Sequence, residues 1–446
     1  VTFRDDLDRA ADWADAYLQR VADLPVTPSV SPGDVRATLP GSPPEQGEAF
    51  EAMLRDLDEL IVPGLTHWNH PRFFAWFANT GSEPGVLAEL LIAALNVNAF
   101  TWLSSPAATE LEVTVMDWLA QLLGLPRGWH GHIEDTASTA TIAALAAART
   151  RRPGGAVVAS EQANFSVEKA ARLVGLEYRK APVDDAFRML ADLDLDGVTA
   201  VVATAGTTAT TSVDPVAELA RRCNDAGVWL HVDAAYAGSA AVCPEFRWCL
   251  DGVDEADSVV VNPHKWLFTP MDCSALWTRR PEAFHEAFSY VPEYLAATPE
   301  AIDVKDYGPA LGRRFRALKL WIVLRWYGAE GLRALIREHV RLAELFASLV
   351  EAEPGWEVVA PHPFSTVCFR HVERDNDEIA RAATATGEVF VATTKLRGDT
   401  IIRLAIGNER TTEADILQAW EVLRSAVGST EPPRREGAGS AGAGSG

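Results

Sequence analysis

Lys265 is the residue whose setting most suggests chemistry. It stands in Asn262-Pro263-His264-Lys265-Trp266-Leu267, directly after the apolar run Val259-Val260-Val261. That run, entered at Ser258, reads as a buried strand. Pro263 has no N–H and a fixed φ, so the ladder stops there. A lysine on a strand exit, beside a histidine and among residues that return to the core, loses solvation. Its pKa falls and its amine becomes a usable nucleophile. An isolated lysine in a turn is more often a surface residue, so the case depends on its companions.

Two companions stand upstream. His231-Val232-Asp233-Ala234-Ala235-Tyr236 follows the apolar run Val228-Trp229-Leu230, which places Asp233 at the end of another buried strand. The small side chains of Ala234 and Ala235 leave room for a flat ring on the backbone. A carboxylate there can hold a ring nitrogen protonated and make the ring an electron sink. The plainer alternative is a cap for the next helix. Asp135-Thr136-Ala137-Ser138-Thr139 opens an alanine-rich helical run ending near Arg149. Hydroxyls and free N–H groups at a helix start suit a phosphate, although they also make an ordinary N-cap. A lysine, an aspartate and a phosphate cradle together specify pyridoxal 5'-phosphate far better than any one of them does.

The elements that position these residues follow from periodicity. From residue 83 to about 332, apolar strand-like runs alternate with helical ones. The strands are expected at 156–159, 177–183, 200–205, 228–232, 258–261 and 275–278, with helices between, such as 167–174 and 215–226. This is an α/β pattern: a three-layer αβα large domain on a mostly parallel sheet. Ligands of such sheets bind at the strand C-termini, where Thr207, Thr208, Asp233 and Lys265 fall. Residues 1–82 read as an N-terminal helical arm, with an amphipathic helix over 3–22, a proline-rich link and a second helix over 50–61. Residues 333–427 read as a small α+β C-terminal domain, with a helix over 332–350, strands near 356–359, 367–370 and 401–405, and a helix over 413–423. The tail, 428–446, reads as disordered.

The chain has 446 residues, 48% of them hydrophobic, and a formal net charge of −22. Such a field repels nucleic acid and anionic membranes. The basic cluster Arg313, Arg314, Arg316 and Lys319 shares a helical apolar period with Leu311, Phe315, Leu318 and Trp321, so it reads as packed, paired cations. Five irregularly spaced cysteines imply reduced thiols and a cytoplasmic protein. No signal peptide or transmembrane run is visible. His130-Gly131-His132 reads as a turn, and no metal is expected.

The sequence resembles the group II pyridoxal-phosphate decarboxylases, the aromatic-L-amino-acid decarboxylase family of fold type I. The matching segments are HWNHPRFFAWF (67–77), SPAATELE (105–112), SVEKAARL (166–173), HVDAAYAGSA (231–240), NPHKWL (262–267), LGRRFRALKLW (311–321) and RLAIGN (403–408). The resemblance covers roughly residues 3–427. It implies a seven-stranded sheet and a homodimer completed by the N-terminal arm. It implies a Schiff base of the cofactor with Lys265, and cofactor contacts from Asp233, Ala235, Ala137, Ser138, Asn164, Thr208, Asn262 and His264. Trp68, Trp76 and Phe77 match the substrate pocket, Phe100 matches a residue that reaches the neighbouring subunit's pocket, and Met271 falls near it by register. The implied reaction is decarboxylation of an aromatic L-amino acid to its amine.

Two positions depart from the family pattern. Asn164 stands where relatives carry a histidine that stacks on the cofactor, and Val304 stands where a loop tyrosine returns a proton to Cα. Tyr307, three residues on, could serve only in a remodelled loop. Both departures are associated with aldehyde synthases, in which oxygen consumes the unprotonated carbanion. That is the alternative to amine formation; a non-catalytic pyridoxal-binding dimer is a third possibility, opposed by the intact Lys265, Asp233 and His264.

Overall fold

The computed structural model describes residues 1–77, 79, 81–290 and 301–428. The expected tail from 429 onward lies outside the described residues. A seven-stranded sheet forms the centre. Its strands are β1 (His130–Glu134), β2 (Ala156–Ser160), β3 (Glu177–Ala181), β4 (Val198–Thr204), β5 (Trp229–Asp233), β6 (Ser258–Val261) and β7 (Ser274–Thr278), in the spatial order β1-β7-β6-β5-β4-β2-β3. From β3 to β6 neighbouring strands are parallel; β7 and β1 each pair antiparallel. Strands β2, β4, β5, β6 and β7 are buried along their whole length, which is why they read as continuous apolar runs rather than alternating ones. The edge strand β3 instead exposes Arg179 and Lys180, charges that discourage further pairing.

Helices cover both faces. The helices Ala137–Arg151, Phe165–Leu173 and Pro281–Phe288 pack on Val157, Ala159, Ala200, Val202 and Val260. The opposite face packs under Pro106–Leu123, Val216–Ala226 and the first part of Arg316–Ala352. A second sheet, β8 (Trp356–Val358), β9 (Thr366–His371), β10 (Ala392–Leu396) and β11 (Asp399–Ala405), is antiparallel in the order β10-β11-β9-β8. Its core includes Phe346, Phe369 and Trp420.

Several expectations need correction. His130-Gly131-His132 is not a turn: it begins β1, and His130 pairs with Thr278. The helix expected over 332–350 is the second part of the 37-residue helix Arg316–Ala352, which breaks at Gly328 (φ 60°, ψ 177°). A φ of that sign suits glycine, which has no Cβ to clash. Residues up to Val340 pack into the large core and those from Leu342 into the small one, so the two cores exchange inside a helix. Lys265 lies within a one-turn helix, Pro263–Trp266, rather than on an extended exit. The helices expected over 3–22 and 50–61 are seen as Phe3–Arg20 and Phe50–Asp56, and neither buries a single residue.

Candidate active site

The C-terminal edge of the parallel strands carries the chemistry. β6 ends at Val261, and the chain turns through Pro263–Trp266 so that Trp266 is buried while Lys265 keeps part of its side chain open to the cleft. Enclosure pushes the Lys265 pKa down and the Asp233 pKa up, and each group's charge partly offsets the other's shift. Asp233 closes β5, and its Oδ1 accepts the Ala235 N–H at 3.1 Å. Alternation along β5 puts His231 on the same face as Asp233, and Thr204 of β4 is its register neighbour. Thr204 Oγ1 and His231 Nε2 are buried without a partner among the described residues. Buried polar atoms of this kind beside a carboxylate fit a polar ring ligand better than an apolar filler.

His264 is held from behind. Its Nδ1 accepts the Cys273 N–H at 3.0 Å, which leaves the proton of the neutral ring on Nε2; Asn262 Nδ2, also a donor, lies 3.2 Å away, so the two N–H groups make no hydrogen bond with each other. Asn262 also takes the Ser274 hydroxyl at 2.6 Å. Burial, reinforced by the Lys265 charge, pushes the His264 pKa down to about 3, so the ring is neutral. The helix Ala137–Arg151 is capped by Thr136, whose Oγ1 accepts the Thr139 N–H at 3.4 Å. Ala137 and Ser138 open it with N–H groups that no intrahelical acceptor can reach. Asp135 is not the cap; its Oδ1 accepts the Thr136 N–H at 2.6 Å.

Asn164 and Thr208, 44 positions apart in sequence, meet here: Asn164 Nδ2 donates to Thr208 Oγ1 at 3.1 Å. Asn164 Oδ1 accepts the Ser166 N–H at 3.0 Å and caps Phe165–Leu173. Its side chain is therefore committed at both ends. Phe165 is 77% exposed and offers the cleft no ring face.

Of the aromatic candidates, Phe77 is the one beside Lys265, with Nζ 5.3 Å from its ring centroid. Trp68 and Trp76 stack on each other (5.6 Å); Trp68 also stacks on Phe73, and Trp76, half exposed, meets Phe390 edge-on. Met271 is exposed, and the Phe100 carbonyl accepts the Lys305 N–H. Val304 is buried in the short turn Val304–Tyr307. Tyr307 stacks on His130 at 3.9 Å and also faces His132 and His285, on the outer side of β1. Within one chain it is not brought to Lys265. Burial and the neighbouring Asp306 raise its pKa.

The sequence reading missed Arg403. It lies in β11, fully enclosed, with its guanidinium 5.1 Å from the Phe77 centroid. Its Nε donates to the Ala209 carbonyl at 2.9 Å, while Nη2 has no partner among the described residues. A charge inside the apolar run Ile401-Ile402-Arg403-Leu404-Ala405 was the available signal. Tyr236 was missed as well; it stacks on Phe77 at 3.9 Å, and its hydroxyl lies 2.7 Å from Ser365 Oγ.

Comparison with known proteins agrees with this geometry. Residues 32–372 match the pyridoxal-dependent decarboxylase conserved domain. Phenylacetaldehyde synthase from Rosa hybrid cultivar is 39% identical over 92% of this chain and 90% of its own length. Tyrosine decarboxylase 2 from Narcissus pseudonarcissus is 39% identical over 94% of this chain and 93% of its own. The crystal structure of Oryza sativa TDC with PLP and tryptamine superimposes with a TM-score of 0.92 at 36% identity, covering 96% and 97% of the two chains. The enclosed Lys265–Asp233 pair, the open helix start and the extent of these matches lead to one conclusion: the chain belongs to the pyridoxal-dependent decarboxylase family and takes pyridoxal 5'-phosphate as its cofactor.

Proposed function

We propose that this chain converts an aromatic L-amino acid to its amine and CO2. The observation that carries the reading is the cleft beside Phe77, where one aromatic ring adjoins a partly enclosed amine, Lys265, and a buried guanidinium, Arg403. An aromatic amino acid needs those three things: an amine partner, a cation for its carboxylate and an apolar face for its ring. Relatives named for decarboxylation of tyrosine and tryptophan support it.

Lys265 and Asp233 would hold the cofactor's aldehyde carbon and ring nitrogen. The ring would lie over Ala235, and the phosphate would meet Ala137, Ser138, Asn262 and His264. Thr208, braced by Asn164, would border it. When bound, the cofactor supplies an aldehyde for the amine and a ring that accepts the electron pair left as CO2 departs. Arg403, with Nη2 unpartnered, orients the carboxylate. Lys265, its pKa lowered by enclosure, can carry a proton to or from the cleft. His264 stays neutral and serves as a hydrogen-bond donor through Nε2.

A homodimer is part of the proposal. The helix Glu83–Leu95 presents Leu87, Leu91 and Leu95, each about half exposed, and the arm helices bury nothing. Apolar faces of that extent fit a second copy of the chain, with residues 1–82 as its dimerisation arm, 83–332 as the cofactor domain and 333–427 as the small domain. Five buried, unpaired thiols fit a cytoplasmic setting.

A second reading is favoured by Asn164 and Val304. If protonation of the substrate carbon is slow, oxygen consumes the carbanion, and amino acid, O2 and water give aldehyde, CO2, ammonia and peroxide. The test incubates the holoenzyme with each aromatic L-amino acid, with and without oxygen, and measures CO2, amine, aldehyde and peroxide. Amine equal to CO2 and independent of oxygen is expected. Aldehyde and peroxide that disappear without oxygen would establish the second reading instead.

A further inference from the structure

Three rings form a column behind the cleft: Phe77 stacks on Tyr236 at 3.9 Å (12° between planes) and Tyr236 on Trp266 at 4.9 Å (9°), and His339 lies edge to edge with Trp266, nearly coplanar (6°), with centroids 6.4 Å apart. His339 is fully buried at the inner end. Its Nδ1 accepts the Trp266 indole N–H at 2.9 Å, which leaves the proton on Nε2 for the Asn408 carbonyl at 3.0 Å. Burial lowers its pKa to about 4, so the ring is neutral and both nitrogens are satisfied.

The two partners are not equivalent. Trp266 follows Lys265 in a helix of only four residues, too short to hold its own orientation. Asn408 closes the segment that begins at Arg403. Its side chain donates to the His70 carbonyl at 3.3 Å, and His70 Nε2 lies 3.2 Å from the Ala22 carbonyl, so the clamp extends to the N-terminal arm. One neutral histidine thus ties the turn that carries the cofactor amine to the segment that carries the free guanidinium.

We infer that His339 is a positioning residue that sets the spacing between Lys265 and Arg403, and so between the cofactor and the substrate carboxylate. The inference rests on the reading of Arg403 as the carboxylate anchor. Loosening the clamp moves the cofactor amine and weakens capture of the carboxylate, while the apolar contact with the substrate ring is left in place.

The test compares His339→Phe, which keeps a flat ring but loses both hydrogen bonds, with His339→Gln, Trp266→Phe and Arg403→Met. Three quantities are read on the holoenzymes: the pH midpoint of the cofactor's visible absorbance, the KM of an aromatic L-amino acid, and the inhibition constant of the corresponding amine, which has no carboxylate. In His339→Phe the absorbance midpoint moves, KM rises on the order of tenfold, and the amine constant stays within about twofold. His339→Gln, whose amide can accept and donate, recovers most of both changes. Trp266→Phe, which removes the indole donor together with part of the buried ring system, moves the absorbance midpoint. Should His339→Phe fail to fold, this second variant carries the test. An unmoved absorbance midpoint and KM in His339→Phe, with only a lower thermal midpoint, overturns the inference, as does an unmoved absorbance midpoint in Trp266→Phe. Arg403→Met decides the underlying reading separately: an unchanged KM there removes the carboxylate anchor whatever His339 does.

Discussion

Burial dictates the charge states of single residues here. His70, His130, His231, His264 and His339 are all enclosed, and desolvation lowers their pKa values to about 4, 3, 3, 3 and 4. Each is neutral in the folded chain at pH 6 but takes up a proton below 6.5 once unfolded. Between about pH 4 and 6.5 the unfolded chain therefore binds more protons, and stability rises with pH. Asp214 works in the opposite sense: desolvation raises it to about 6, against the Met189 and Thr204 N–H groups that it accepts at 2.7 Å. Burial raises Asp233 and Glu409 in the same sense as Asp214, and the five histidines outnumber these three carboxyls. Urea unfolding of the cofactor-free protein is expected to show a clearly higher midpoint at about pH 7 than at about pH 5; equal midpoints would contradict the assignment. The chemistry of Lys265, Asp233 and the helix start was legible because each sits at a break in an apolar pattern. Arg403 breaks a pattern too, but its partner ring, Phe77, lies more than three hundred positions away.

Elements are tied together by ion pairs that the sequence showed only as a basic helix. Arg313 is buried and forked onto Glu112, at 2.8 and 3.2 Å, and also donates to the carbonyls of Ile133 and Ala99. Glu112 in turn accepts the Ile133 N–H at 2.9 Å. The pair fastens β1 to the helix Pro106–Leu123. Arg313→Met would leave Glu112 buried and uncompensated, at a cost of about 3–5 kcal/mol. Denaturant unfolding checks this, and adding Glu112→Gln to that variant should recover part of the loss. A loss below about 1 kcal/mol would show that water already serves Glu112. Arg314 and Lys319 on Glu89 and Arg316 on Asp272 complete the paired cluster expected from periodicity. β1 was illegible because His-Gly-His carries no strand pattern. It is a strand because Ile133 fills the core and Glu134 pairs with Ser274, a partner far along the chain.

The whole molecule has a face that one chain leaves uncovered. Leu87, Leu90, Leu91 and Leu95 on Glu83–Leu95 lie open, together with Leu103 and Trp118. Leu91→Asp should convert the proposed dimer to a monomer in sedimentation at micromolar concentration, because a charge would be left unpaired within the proposed apolar contact. A variant that still sediments as a dimer would place the interface elsewhere. The arm showed its amphipathic period in the sequence, but periodicity names a face and not what covers it.

From the sequence alone come the α/β alternation and the lysine, aspartate and helix start that specify the cofactor, and its resemblance to a family adds the two departures, Asn164 and Val304. The alternation and the cofactor residues are local signals, carried by hydrophobic period, helix caps and residue type at a strand end. Only the tertiary structure decided that Arg403 and Lys265 adjoin one ring, that the Asn164 amide donates to Thr208, and that Tyr307 packs on His130. Each of those is a contact between distant segments. Such contacts are set by how sheets and helices pack, and no single stretch of sequence contains that information.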